Sequence, residues 1–527
     1  MNMFLRKALR ILMLATPLLL VLLGAGLYAG GESLVRWGYG SVSRIPRLAA
    51  IAEKIHRRPL DEYLAYAREH IPPTSFFCLK MGLLLALFLW RRPVRRAIAA
   101  CRAYLPAVST PTRALWTAMA LSLFFYLGAA LTTHRIDFGE GKLGLGYGHD
   151  GTRYGRMAEE FVPFQLQVQS PFCYRLLPSV PIFYLHTNTF TAFNATNFIC
   201  YMLSCYLIWK LVRLYHADLD ISILCVCLFA NLKFFLKFWI YYPILTDSMG
   251  TMLMLALIYF TLIRNDLWYL ITITISVFCR ENLLALILFN IIYALHCTDG
   301  PRKIARRVLM HAVPFAAFAL IHAYPLVIPD PNWPGGPMGL RTHFTSLTMI
   351  LGTPDIQVKF ALAHVNALGV LLIMALINWR RNIAFLRRNR HWAYYGIVTL
   401  CLAMLGREER HISWQAPLLL VMFAERCASI SREQALRTGV TLLALQFIWA
   451  ETMLPWAGSK EFYLTRFCIY PSTVDIFLIE LSCAVFAWLV WRIAAGESAQ
   501  PLTPGPDVPH AGDSIMPIQS PQAGRAF

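Results

Sequence analysis

Residues 245–298 read LTDSMGTMLMLALIYFTLIRNDLWYLITITISVFCRENLLALILFNIIYALHCT. Three apolar runs, 245–263, 266–279 and 281–298, follow one another here with almost nothing between them. Arg264 and Asn265 separate the first two, with Asp266 opening the second, and Arg280 alone, with Glu281 opening the third, separates the second from the third. An apolar run of roughly 18 residues or more is long enough to cross a hydrocarbon core about 30 Å thick. Working outward in both directions, similar runs recur at about 8–29, 74–91, 114–132, 190–213, 219–240, 308–327, 358–378, 392–406, 411–425, 436–455 and 472–493. The pattern predicts an all-α, polytopic transmembrane helical bundle of about 11–14 spans, with 266–279 and 411–425 short enough to be half-helices or to merge with a neighbour.

Composition agrees. Hydrophobic residues make up 57% of the chain and charged residues only 15%, against about a quarter charged in soluble proteins. The net charge of +19 does not point to nucleic acid, because the basic residues stand in short clusters between apolar runs. With the N-terminus inside and each span alternating, the densest clusters (Arg91–Arg96, Arg302–Arg307 and Arg380–Arg390) all fall in cytoplasmic loops, as the positive-inside bias requires. The segment Gly31–Pro73 is the exception, basic yet external; its pattern fits an amphipathic helix on the lipid surface or one that gates a substrate. The first span reads as a retained signal anchor. The 13 cysteines form no Cys-x-x-Cys pair and mostly lie inside apolar runs, where they act as small hydrophobes; Cys173 and Cys468 would both lie outside and could pair. The stretch Pro171–Leu185 is broken by Pro178 and Pro181 and reads as re-entrant or interfacial on the external face. Three regions follow: an N-terminal part, 1–112, with the amphipathic external segment; a membrane core, 113–495; and a Pro/Gly/Ser-rich disordered cytoplasmic tail, 496–527.

This topology puts five polar groups on one side. They are the loop Gly148-His149-Asp150-Gly151-Thr152-Arg153-Tyr154 with Glu159 and Glu160; the run Pro171–Pro178 carrying Arg175; Tyr241–Ser248 with Asp247; Cys279–Asn282 with Arg280 and Glu281; and Gly406-Arg407-Glu408-Glu409-Arg410-His411. Each has a plain alternative. Asp150-Gly151 is a common turn, Asp247 could merely cap a helix, Arg280-Glu281 could sit at the interface in a tight hairpin, and 407–410 could be a solvated turn. Taken together, they put carboxylates beside guanidiniums at the external ends of spans, where ionisable groups are costly and tend to face a cavity and one another. Carboxylates can take a proton from an attacking hydroxyl; guanidiniums can grip a phosphate and stabilise the charge that builds on it. Group transfer from a phosphate-activated donor held in the membrane suits these parts, and so does ion-coupled transport.

The order and character of these motifs resemble the bacterial polytopic GT-C glycosyltransferases, particularly the branch with a Tyr-Asp-Gly-x-x-Tyr-like first loop. His149 stands where tyrosine is usual, and Arg175-Leu176-Leu177-Pro178 is one residue shorter than the branch's Arg-x-Leu-x-Pro-like run. Asp247 opens a later span, Arg280-Glu281 ends another, and Glu408-Glu409-Arg410-His411 precedes a span containing Pro417. The similarity covers roughly Leu115 to Glu425, whereas two additional spans precede the acidic loop, which leaves it at superfamily level.

The resemblance implies an inverting transfer of a sugar from a polyprenyl-phosphate-linked donor to a lipid-linked glycan or protein acceptor, on the periplasmic or exoplasmic side of a plasma or inner membrane. It implies Asp150 as base, Arg175, Arg280, Arg410 and His411 around the donor phosphate, and Asp247 and Glu281 ordering the pocket or meeting the sugar. His149, Tyr154, Glu408 and Glu409 would line the substrate pocket. No metal-ligand set is legible, and dependence on a divalent metal stays open. Two other classes fit parts of the pattern. One is a secondary transporter with an outward-facing ionic site, against which stands the absence of an internal repeat. The other is an O-antigen polymerase or ligase, in which the largest external loop usually comes late, whereas here Thr133–Ser170 comes early.

Overall fold

The computed structural model describes residues 110–133, 149–297, 299–331, 347–406, 409–451 and 474–498, together with shorter helical stretches between 15 and 90. Most of Gly31–Pro73, Gly148, Arg407, Glu408, Cys468 and residues 499–527 lie outside the described residues, and His149 and Glu409 are described at the backbone alone.

The described chain is almost entirely helical. Its only strands are Gln167–Val168 and Ile328–Pro329, a two-residue parallel pair between the connections that follow the Glu159 helix and precede residue 332. Several helices begin where the sequence offers a side chain to the orphan amides of a first turn. Thr110 accepts from Arg113 N ahead of Pro111–Thr132, Asn188 from Thr191 N ahead of Thr189–Tyr215, Asp218 from Asp220 N and Ile221 N ahead of Leu219–Ala230, and Asn265 from Trp268 N ahead of Asp266–Val277.

Among the described residues, Pro111–Leu131, Thr189–Tyr215 and Pro301–Ala323 are long and apolar enough to cross a membrane. The number rises to five if the bent pairs Ala15–Leu27 with Ala29–Arg36 and Ile356–Leu368 with Val370–Ile377 each count as one span. Several shorter apolar helices, among them Asp247–Leu262 and Asp266–Val277, pack between them. Exposure follows a bilayer's logic. Leu219–Ala230 is apolar all round and buried nearly all round, so it forms the centre of the bundle, packed on Pro111–Thr132, Thr189–Tyr215 and Ala416–Ala428. Pro111–Thr132 instead turns Trp116, Phe124, Leu127 and Leu131 outward. Belts of large exposed side chains this extensive are foreign to a water-facing surface and are compatible with an integral membrane protein.

Two of the expected spans are broken, and the breaks share one support. The 219–240 run stops at Ala230, turns through 231–236 and resumes as Lys237–Tyr241. The 358–378 run bends by 109° at Gly369. A buried side chain joins the two breaks. Gln446 donates to the Asn231 carbonyl at 3.0 Å and accepts from the Val370 amide at 3.0 Å, so main-chain groups freed by both interruptions are satisfied inside the protein, as a low-dielectric surrounding demands. Gly369 adopts φ +52°, and a Cβ there would lie 2.1 Å from the Gln446 carbonyl oxygen. Both the backbone and the neighbour therefore require glycine. Gly369→Ala should lower the stability of the detergent-purified protein by about 2 kcal/mol or more, read as a clear drop in thermal midpoint; an unchanged midpoint refutes the requirement.

Candidate active site

Asp247 opens the helix Asp247–Leu262 but does not cap it. Thr246 holds the cap position, and its hydroxyl accepts from Arg280 Nε at 2.9 Å. The turn leading into Asp247 is gripped from the side by Asn197 on the Thr189–Tyr215 helix. Its amide donates to the carbonyls of Trp239 (3.1 Å) and Pro243 (2.9 Å), and its oxygen accepts from Ser248. One asparagine thus sets the entry of this helix, leaving the Asp247 carboxylate available for other partners.

Those partners are two arginines from separate, later segments of the chain. Arg280 follows the Asp266–Val277 helix in extended conformation, ahead of the 3-10 turn Glu281–Ala285. Its Nη2 stands 2.8 Å from Asp247 Oδ1, a close charge contact lying off the hydrogen-bond direction. Arg410, in the short helix Glu409–Ile412, places Nη1 3.2 Å from Asp247 Oδ2. Asp247 is only 3% exposed, and both arginines are buried with it. Separating such ions from water costs several kcal/mol each unless they meet one another, which is why the three side chains converge. Gly250, one turn along the helix from Asp247, makes room for this: a Cβ there would meet Arg280 Cδ at 3.0 Å. The Trp414 ring lies 5.5 Å from the Arg280 guanidinium, within cation–π range.

The chain of charges continues outward. Arg410 Nη2 reaches Asp150 Oδ2 at 3.4 Å, linking residues 260 apart in sequence. Asp150 lies in the first turn of the helix His149–Glu159, so Asp150-Gly151 belongs to a helix and not to the loop turn its composition suggests. The Gly151 amide donates to the Tyr242 hydroxyl at 2.8 Å, tying this helix start to the turn before Asp247. His411 joins from the other side, with Nε2 3.4 Å from Arg280 Nη1. A guanidinium has no acceptor, so Nε2 takes that hydrogen bond and the ring proton sits on Nδ1.

Arg175 and Glu281 form a second unit beside the first. Arg175 grips Glu281 with two hydrogen bonds, Nη2 to Oε1 at 2.5 Å and Nε to Oε2 at 3.0 Å, and donates to the Tyr154 hydroxyl at 3.2 Å. The run carrying Arg175 is held by its backbone, since the Leu177 amide donates to the Phe278 carbonyl just before Arg280. Burial opposes the Arg175 charge, but Tyr154 and Glu281 outweigh it and hold its pKa well above the ordinary guanidinium value. Burial also raises the Tyr154 phenol, which the nearby guanidiniums only partly offset. Cys173 is buried and its thiol is pushed up to about 12, so it stays protonated at neutral pH.

The structure therefore brings together Asp150, Tyr154, Arg175, Asp247, Arg280, Glu281, Arg410 and His411. It turns other members of the same sequence groups elsewhere: Glu159 accepts from Thr189, and Glu160 pairs with Arg156 on its own helix. Arg407 and Glu408 lie outside the described residues, as do the side chains of His149 and Glu409. Tyr242 and Thr246, from the Tyr241–Ser248 group, complete the arrangement together with Asn197 and Trp414, which the sequence did not single out. The only sequence signal for Asn197 is an amide inside an apolar helix, a residue that must find hydrogen-bond partners there. Among the described residues no cluster of three or more His, Cys, Asp and Glu side chains is placed to hold a metal ion.

Removing the central carboxylate leaves two buried guanidiniums facing each other. Asp247→Leu should cost about 3–5 kcal/mol of stability, while Asp150→Leu, at the partly solvated end of the chain, should cost under about 1 kcal/mol. Chemical unfolding in detergent measures both, and equal losses would contradict the asymmetry.

No protein-family model, no curated protein and no solved structure matches the chain.

Proposed function

We propose that the chain is a polytopic membrane glycosyltransferase of GT-C type, with about 11–14 spans, moving a sugar from a polyprenyl-phosphate donor to an acceptor on the non-cytoplasmic face with inversion. The reading rests on the continuous Asp150–Arg410–Asp247–Arg280 chain of charges, in which buried guanidiniums lie beside a carboxylate that solvent can reach. Asp150 is that carboxylate: its side chain is 22% exposed, against 4% for Asp247.

In the proposed step the acceptor hydroxyl oxygen attacks the anomeric carbon as its proton passes to Asp150. The bond from that carbon to the phosphate oxygen breaks, and the electron pair leaves with the polyprenyl phosphate. Arg280 and Arg410, with His411 beside them, stabilise the charge on the departing phosphate, the kind of electrostatic aid that contributes most in a water-poor site. Asp247 keeps both guanidiniums in place between turnovers. A donor phosphate competing for Arg410 would release Asp150 toward the acceptor, so donor binding and base activation are coupled. Arg175, whose fork is taken by Glu281, acts chiefly to set the wall of the pocket with Tyr154.

Asp150→Asn should lower transfer by at least about a hundredfold, the scale of a lost general base, with membrane insertion intact. Consumption of polyprenyl-phosphate sugar by membranes carrying the variant tests it; undiminished turnover removes Asp150 from the mechanism. Arg280→Ala, if stably folded, should weaken donor binding measurably, and unchanged donor affinity would count against its phosphate contact.

A further inference from the structure

A second cationic site lies at the other end of the bundle. The helix Ala416–Ala428 starts just past Trp414 beside the ionic chain and carries Arg426 in its last turn, about 15 Å further along at 1.5 Å per residue. There Arg426 Nη1 donates to Ser429 Oγ at 3.0 Å, and Arg381 Nη1 donates to the same oxygen. Two guanidiniums thus converge on one neutral hydroxyl. The carboxylates nearby are engaged elsewhere: Glu425 with Arg388, Glu433 with Arg437, and Asp218 and Asp220 with Arg432. Among the described residues neither Arg381 nor Arg426 has an ion pair.

The surroundings have the chemistry of a lipid. Arg381 belongs to the helix Trp379–Arg388, which carries Arg380, Arg387 and Arg388 and exposes Trp379 and Ile383. Basic residues beside exposed Trp and Ile suit a helix at a membrane–water interface. Next to Arg426 lies a shallow depression with Asn378 and Gln434 as well as Phe423, Ile430 and Met374 in its lining. A lipid phosphate between the arginines would meet both guanidiniums while its acyl chains remain in the bilayer beside Trp379 and Ile383.

We propose that Arg381, Arg426 and Ser429 form a headgroup site for an anionic phospholipid whose acyl chains stay in the bilayer. Like-charged guanidiniums sharing one hydroxyl are an unfavourable arrangement that an anion relieves, and basic pockets between membrane helices recognise lipid phosphates in this way. The site is independent of what the ionic chain at the opposite end does.

Native mass spectrometry of the full-length protein in detergent tests it, using dioleoyl phosphatidylglycerol and dioleoyl phosphatidylcholine as probes. The wild type should retain the anionic lipid preferentially, and Arg381→Gln/Arg426→Gln should lose that preference by about tenfold. Ser429→Glu, an exposed position where a carboxylate would neutralise the pair, should lose it equally while folding normally. Arg432→Gln, on the same end but outside the site, should keep it. Equal retention of the two lipids, or preference undiminished in the Ser429→Glu protein, overturns the proposal. Displacement of phosphatidylglycerol by millimolar inorganic phosphate alone would show a simple anion site and overturn the lipid assignment.

Discussion

Asp247 sits between Arg280 and Arg410 with almost no access to solvent, and the surrounding architecture follows from keeping that charge compensated. A carboxylate taken out of water with one guanidinium missing would be among the most costly features a helical bundle could hold. The three helices that deliver these groups cannot slide independently: a shift of one turn, about 5.4 Å, would strand a charge. Thr246, Asn197 and Gly250 prevent such a shift. Thr246 takes a hydrogen bond from Arg280, Asn197 clamps the turn, and Gly250 leaves the space that the arginine stem fills.

The second unit, Arg175 with Glu281 and Tyr154, has the same logic at a more open position. Glu281 follows Arg280 directly in sequence, yet the two bind different partners, Glu281 facing Arg175 and Arg280 facing Asp247. The extended backbone at Arg280, φ −154°, sends adjacent side chains to opposite sides. This explains how two residues with no loop around them serve two neighbouring clusters. The same extended residue ends one apolar helix and precedes a 3-10 turn, so the interruption of the hydrophobic run and the assembly of the charges are one structural event.

The polar interior divides into kinds. Gln446 and Asn197 satisfy main-chain groups at helix breaks and carry no charge; the acid–arginine chain is charged but self-compensating; outside the interior, Arg381 and Arg426 meet at one exposed hydroxyl. The first kind is explained by folding in a medium without water. The second combines compensation with a carboxylate, Asp150, that solvent reaches at one end.

Apolar run length was sufficient to read the helical class, because length and apolarity are local properties; the caps Thr110, Asn188, Asp218 and Asn265 that start four helices are local signals too, but were seen only in the structure. The five polar groups were legible too, since a charge beside an apolar run stands out wherever it goes. Which of them would meet was not. Asp150 and Arg410 are 260 residues apart, and nothing local distinguishes Asp150 from Glu159, or an Arg280 that pairs with Asp247 from one resting at an interface. The breaks at Asn231 and Gly369 were hidden as well, because a single distant glutamine makes both tolerable. Sequence alone determined what had to be buried and which groups would resist burial; tertiary packing decided their partners, because compensation of a buried charge depends on distance in space, and a linear chain does not encode that distance locally.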